Sequence, residues 1–274
     1  MDNSRTYAIN GTTLWVEDKG PTNGPVILCL HSLFLDGSMF ANLEQAAIPE
    51  FRVICPDFRG QGCSAPTVER TVTMDQCADD MLLLIEEMGL EAVHLVGASM
   101  GGDVAARMAA RRPDLFRSLI FMGSSVREEP KEQADQFGIW LESCAEVGFV
   151  GDNLALLQAV MFGEKTRNRP DFEASFAPWL QKLSLIRKSL FPAMYGVLER
   201  PSATHELPKI TVPTLVYSGT DDFARPPAWG KEIADNVPGA KQTILDAIGH
   251  SPILEAPEIV IPGTLEFIRA TSTR

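Results

Sequence analysis

The chain has 274 residues, 45% of them hydrophobic and 22% charged, enough for one large core or a core with a sizeable insertion. A formal net charge of −12 sets it against a nucleic-acid backbone or an anionic membrane surface as partner. No apolar run approaches the roughly 20 residues that span a bilayer, and Met1 to Arg5 carries no charged-then-apolar leader, so the expected location is the cytoplasm. The five cysteines (Cys29, Cys55, Cys63, Cys77 and Cys144) are odd in number and form no C-x-x-C, which reads as buried free thiols in a reducing compartment.

In chain order, Tyr7 to Ile9 and Thr12 to Val16 flank Asn10-Gly11 and predict a β-hairpin. Val26 to Leu30 is an apolar run suited to a fully buried strand, and it leads into the loop His31 to Gly37, with a helix expected from Ser38. Arg52 to Cys55 is a further strand, followed by the turn-rich Pro56 to Ser64. Thr73 or Asp75 caps a helix that runs to about Met88 and stops at Gly89. Val93 to Val96 is a buried strand ending at Gly97-Ala98-Ser99-Met100-Gly101, and an apolar stripe at Val104, Ala105, Met108 and Ala109 predicts the helix after it. Leu119 to Met122 is the next strand.

From about Arg127 to Leu207 no convincing strand occurs and helical periodicity dominates. The strand signal resumes at Pro213 to Gly219 and again at Lys241 to Leu245, separated by a helix ending near Asn236. A final helix is expected after Pro257, interrupted near Pro262-Gly263 and ending by Ala270. Strands alternating with helices imply a mostly parallel eight-stranded sheet with helices on both faces. Residues 1–126 and 208–274 then form the core, and 127–207 form a helical lid inserted after the sixth strand.

Gly97 to Gly101 fits G-x-S-x-G, in which a sharp strand-to-helix turn lifts the serine out of the sheet. Such a turn strains the serine backbone by about 1–3 kcal/mol. It also brings strand and helix so close that side chains two residues either side would collide, which Gly97 and Gly101 avoid. The competing reading is a Gly/Ser connection without chemistry. Ser99 needs a base, and His250, in a Gly-flanked loop after the last strand, suits best among four histidines. His94 reads as a core histidine, His205 lies among polar residues, and His31 shapes the loop it opens. The base needs a carboxylate to hold its tautomer: Asp222 is preferred, with Asp221 as the alternative. The order Ser99, Asp222, His250 is that of α/β-hydrolases rather than of either protease class. The backbone N–H groups of Met100 and of Leu33, or Phe34 if the loop is shifted by one, are the candidate oxyanion donors. Phe34, Trp140, Met161, Phe162 and Trp179 are the candidate substrate-pocket residues.

The stretches Leu30 to Phe40, Asp57 to Gly62, Val96 to Gly102 and Gly219 to Asp222 resemble the α/β-hydrolase superfamily, most of all its 3-oxoadipate enol-lactonase and small-esterase group. The resemblance implies the α/β-hydrolase fold, a Ser–His–Asp triad at Ser99, His250 and Asp222, no cofactor and a helical lid; no metal site is expected. One departure stands out: the family's frequent His-Gly after the third strand is His31-Ser32 here. The expected activity is hydrolysis of a carboxylic ester or lactone of a small, fairly apolar molecule through an acyl-enzyme. The same triad also serves carbon–carbon bond hydrolysis, perhydrolysis or acyl transfer, and a non-catalytic receptor on the same scaffold is the bland alternative. The small-molecule substrate is the expected partner, with neither nucleic acid nor membrane, and a homodimer stays open.

Overall fold

The apolar runs become the central strands of one eight-stranded sheet in the computed structural model, which describes residues 1–272. The strands are β1 (Arg5–Ile9), β2 (Thr12–Lys19), β3 (Val26–Leu30), β4 (Arg52–Pro56), β5 (Val93–Ala98), β6 (Phe116–Met122), β7 (Thr214–Gly219) and β8 (Lys241–Leu245). They lie in the order β1-β2-β4-β3-β5-β6-β7-β8. The β1–β2 and β2–β4 pairs are antiparallel and the remaining pairs parallel. Every residue of β3, β5 and β7 is buried, which is why these strands read as unbroken apolar runs rather than alternations. The edge strand β8 instead leaves Lys241 and Ile244 to solvent.

Six helices belong to the sheet framework: α1 (Ala41–Ala47), α2 (Met74–Glu87), α3 (Met100–Arg111), α10 (Pro227–Asn236), α11 (Pro252–Glu255) and α12 (Pro257–Ser272). Thr73 is the cap of α2, its hydroxyl accepting from the Gln76 N–H at 3.1 Å. The helix expected from Ser38 begins as a 3₁₀ turn over Gly37–Phe40, capped by Asp36, and becomes α-helical at Ala41.

The final helix differs from the sequence expectation, since α12 runs through Pro262-Gly263 without interruption. Proline inside a helix costs about 3 kcal/mol. Its buried face of Val260, Ile261, Leu265 and Ile268 continues across that point, and each such side chain contributes about 1.5–3 kcal/mol on burial, so packing outweighs the defect.

The chain passes from β3 outward to β4 and then crosses back to β5, so the strand order reverses between β3 and β5. Open α/β sheets hold ligands in the crevice at the carboxyl ends of such a pair. The loop after β3 is fixed there from below. The Asp57 carboxylate accepts from the N–H groups of Gly37 at 2.8 Å and Cys63 at 2.7 Å, and its burial raises its pKa.

Between β6 and β7 the described residues contain helices and no strand: α4 (Lys131–Val147), α5 (Gly151–Met161), α6 (Glu164–Arg167), α7 (Phe172–Ser175), α8 (Ala177–Ser184) and α9 (Phe191–Leu198). Two aromatic clusters hold this insertion together. One joins Phe34, Phe137, Trp140, Phe149 and Phe191, with ring centroids 5.0–6.4 Å apart. The other joins Phe162, Phe172 and Phe176 at 5.0–5.7 Å. Among the described residues no helix is long and apolar enough to cross a membrane. Of the five thiols, Cys63 is exposed, contrary to the expectation that all are buried, because it sits in the turn-rich loop rather than in a strand or helix core.

Candidate active site

Ser99 stands between β5 and α3 with φ +50° and ψ −113°, a conformation that costs a non-glycine residue of order 1–3 kcal/mol. The tight passage accounts for the flanking glycines. A Cβ on Gly97 would sit 2.6 Å from the Gly101 carbonyl oxygen, and one on Gly101 would collide with the Leu30 carbonyl. The strain is held by the framework: the Ser99 N–H donates to the Met122 carbonyl at 2.9 Å, and its own carbonyl accepts from Gly102 and Asp103 in the first turn of α3.

The three candidate groups, 28 to 151 residues apart in the chain, converge at the carboxyl ends of β5, β7 and β8. His250 Nε2 lies 2.8 Å from Ser99 Oγ. His250 Nδ1 lies 2.9 Å from Asp222 Oδ2 and 3.1 Å from Oδ1. Asp222 Oδ1 also accepts from the Arg225 N–H at 2.7 Å, so the loop that carries the carboxylate orients it. All three side chains are largely buried. Asp221, the alternative carboxylate, has no bond to His250; its backbone N–H donates to the Ile248 carbonyl instead.

Met100 opens α3, so its N–H is one of the helix's unpaired donors and lies at the positive end of the helix dipole. The Leu33 and Phe34 N–H groups donate to no acceptor among the described residues. Phe34 adopts φ +72° and packs its ring at 6.2 Å from both Trp140 and Phe149. His31 shapes this loop as expected: its Nδ1 donates to the Ser32 carbonyl at 2.8 Å and its Nε2 accepts from the Phe58 N–H at 3.0 Å. At the departure position, the Ser32 hydroxyl donates to the Leu33 carbonyl at 3.2 Å, and its N–H meets Met39 Sδ at 3.3 Å. The remaining histidines lie away from the site. His94 is sandwiched between the hydroxyls of Ser118 and Ser272, and burial lowers its pKa to about 4. His205 is exposed.

A cavity of about 220 Å³ opens above Ser99 and His250, walled by Leu33, Phe34, Phe137, Trp140, Val160, Met161, Met194 and Val197. Phe162 and Trp179, expected at the pocket, do not line it. Phe162 caps α5 inside the second aromatic cluster, fully buried, and Trp179 packs part-buried within the insertion. Sequence reasoning missed the polar wall formed by Glu129, Gln133, Gln136 and Arg225, and the half-exposed rim residues Leu156 and Phe223. A signal for part of that wall was present. Gln133, Gln136, Phe137 and Trp140 are spaced i, i+3, i+4, i+7, so a helix that turns Trp140 to the cavity turns the two glutamines with it.

Buried and part-buried ion pairs tie the site to the insertion. Arg225 Nη2 lies 2.5 Å from Glu129 Oε1, which also takes Arg200 Nη1 at 2.8 Å. Arg200 Nε continues to Asp103 at 3.1 Å, and Asp103 to Arg107 at 3.1 Å. Burial raises the Asp103 pKa against the pull of these two arginines. A second tie involves Glu255, which is nearly fully buried. Its Oε2 accepts from the N–H groups of Gly163 at 2.9 Å and Gly249 at 3.1 Å, and its Oε1 from Ser251 at 3.0 Å. One carboxylate therefore holds both chain neighbours of His250 and a residue of the insertion. Among the described residues no group of three or more His, Cys, Asp or Glu is arranged to hold a metal ion.

A model of the α/β hydrolase fold matches residues 25–257. The chain is similar to 3-oxoadipate enol-lactonase 1 of Acinetobacter baylyi, 25% identical over 95% of this chain and 94% of that one. Among solved structures, a thermophilic esterase from Thermogutta terrifontis is 30% identical with a TM-score of 0.84, covering 99% of both chains. The enol-lactonase from Burkholderia xenovorans LB400 is 26% identical with a TM-score of 0.86, covering 97% of this chain and 100% of that one.

Proposed function

Because the chain belongs to the α/β-hydrolase fold family, we propose that it is a serine hydrolase that cleaves a carboxylic ester or lactone of a small, fairly apolar molecule. The observation that carries this reading is the relay Ser99 Oγ–His250 Nε2–Nδ1–Asp222, at 2.8 and 2.9 Å, opening into a mostly apolar cavity. His250 takes the Ser99 proton as Oγ attacks the substrate carbonyl. Asp222 holds the Nδ1–H tautomer and offsets the imidazolium charge. The oxyanion collects the N–H groups of Met100 and Leu33. His250 then returns its proton to the leaving oxygen, and water, activated by the same imidazole, hydrolyses the acyl-enzyme. For a lactone the leaving oxygen stays tethered to the acyl group.

In this reading residues 127–207 act as a lid that sets substrate shape, and the free thiols suit work in a reducing cytoplasm. The esterase and enol-lactonase names among similar proteins support the reaction class. The test is hydrolysis of a p-nitrophenyl ester by wild type and Ser99→Ala, with circular dichroism to check folding. Wild-type turnover that vanishes in folded Ser99→Ala is expected; turnover retained in that variant would overturn the proposal.

A further inference from the structure

We propose that the cavity selects substrates bearing no net charge and that Glu129 enforces the selection; this deepens the serine-hydrolase reading and rests on it. Among the residues lining the cavity, Glu129 and Arg225 bear the only permanent charges. They are spent on each other. Arg225 Nη2 meets Glu129 Oε1 at 2.5 Å and Nη1 meets Oε2 at 3.4 Å, a two-pronged contact that occupies both carboxylate oxygens. Glu129 Oε1 also holds Arg200 Nη1 at 2.8 Å. Glu129 thus touches both guanidinium groups that reach this wall, sharing Arg200 with Asp103. Burial and the neighbouring Arg200 pull Arg225 below the ordinary guanidinium pKa, and the groups working against that pull are Glu129 and Asp222.

A substrate that brought its own carboxylate to this wall would have to displace Glu129 from Arg225 or lie beside it. Displacement costs Glu129 its two-pronged partner and leaves it with Arg200 alone, and juxtaposition sets like charges together where water screens them poorly. The overall charge of −12 also disfavours the approach of anions. An uncharged ester meets none of these penalties, and its polar atoms can bond to Gln133 and Gln136. With Glu129 made neutral, the same wall would present Arg225 as an open fork, the geometry that recognises carboxylates.

The experiment compares 4-nitrophenyl hexanoate with its analogue of equal length ending in a carboxylate, and with the methyl ester of that analogue as a size control. For the wild type, kcat/KM for the two uncharged esters should exceed that for the acid by about tenfold or more, a difference of about 1.4 kcal/mol. In Glu129→Gln the ratio should shift towards the acid by a similar factor, carried mainly by KM, and adding Arg225→Met should abolish the shift. A wild type that hydrolyses acid and methyl ester within threefold of each other overturns the proposal, and that comparison stands even if a variant fails to fold. So does an unchanged ratio in folded, active Glu129→Gln. If the wild type hydrolyses none of the three esters and a fluorophosphonate probe does not label Ser99, the hydrolase reading itself falls, and charge selection with it.

Discussion

Replacing Glu255 with glutamine changes one oxygen to nitrogen, so shape is kept while the charge and one acceptor are lost. The carboxylate receives three backbone N–H groups, two on Oε2 and one on Oε1. An amide that keeps its oxygen towards Gly163 and Gly249 turns its NH₂ towards the Ser251 N–H, leaving a buried donor facing donors. That lost charge-assisted bond costs about 1.5–3 kcal/mol, and the two retained bonds weaken to the neutral kind by about 1 kcal/mol each, so the variant should lose roughly 3–5 kcal/mol. For a chain of this size that is a fall in Tm of about 6–10 °C. Gly249 and Ser251 flank His250, so the imidazole loses its fixed approach to Ser99 as well. Misplacement by about 1 Å costs up to a hundredfold, so kcat on p-nitrophenyl acetate should fall about 10–100-fold with KM little changed. Scanning calorimetry and steady-state kinetics on one preparation measure both. A Tm within 2 °C of wild type together with kcat within twofold would refute the reasoning, because the three bonds would then hold nothing.

Asp222→Asn should leave the fold intact and lower kcat by roughly 10³–10⁴, since an amide stabilises the wrong His250 tautomer; a loss below tenfold in the ester assay would count against the relay. Stability should depend on pH through His94. The unfolded imidazole takes up a proton near 6.5 while the folded one stays neutral down to about 4. Its contribution is therefore intact above pH 6.5 and fades as pH falls towards 4, by up to about 3 kcal/mol. His94→Gln should flatten that part of the Tm-against-pH curve relative to wild type, and parallel curves would exclude the effect. Ser32→Gly removes a hydroxyl that among the described residues bonds only the Leu33 carbonyl, so kcat should change by less than about threefold if backbone N–H groups carry the oxyanion. A hundredfold loss would make the hydroxyl itself part of the chemistry.

What was legible in the chain is what local physics controls. Val26 to Leu30 and Lys241 to Leu245 are strands over the residues read from the sequence, because a run buried on both faces or cut off by turns leaves little freedom in its ends. The elbow was legible because its spacing lies within five residues, although only Gly97 answers a steric demand inside that window while Gly101 makes room for the Leu30 carbonyl of β3. Sequence favours Asp222 over Asp221 only weakly, since both follow β7; the structure separates them by the bonds from Arg225 N–H and His250 Nδ1 to the Asp222 carboxylate. Phe162 and Trp179 were misjudged because an aromatic residue at helical spacing reports burial without saying what covers it. Pro262 was read as a break because its local cost was weighed without the distant packing that outweighs it.

The least legible feature is the way the insertion is fastened. Asp103, in the first turn of α3, pairs with Arg200 after α9. Arg225, three residues beyond Asp222, pairs with Glu129 just before α4. The loop bearing His250 joins Gly163 through Glu255, across 92 residues of chain. Each of the three segments that carry the proposed triad therefore has its own buried or part-buried polar tie to the insertion, and each tie links positions no sequence window contains. Of the three, Asp103–Arg200 is a fully buried pair, and breaking such a pair by freeing one partner costs about 3–5 kcal/mol. The exposed Leu156 of α5 and Phe223, next to Asp222, mark the rim of the cavity. If the serine-hydrolase proposal holds, these ties to the insertion keep Ser99, His250 and Asp222 in register.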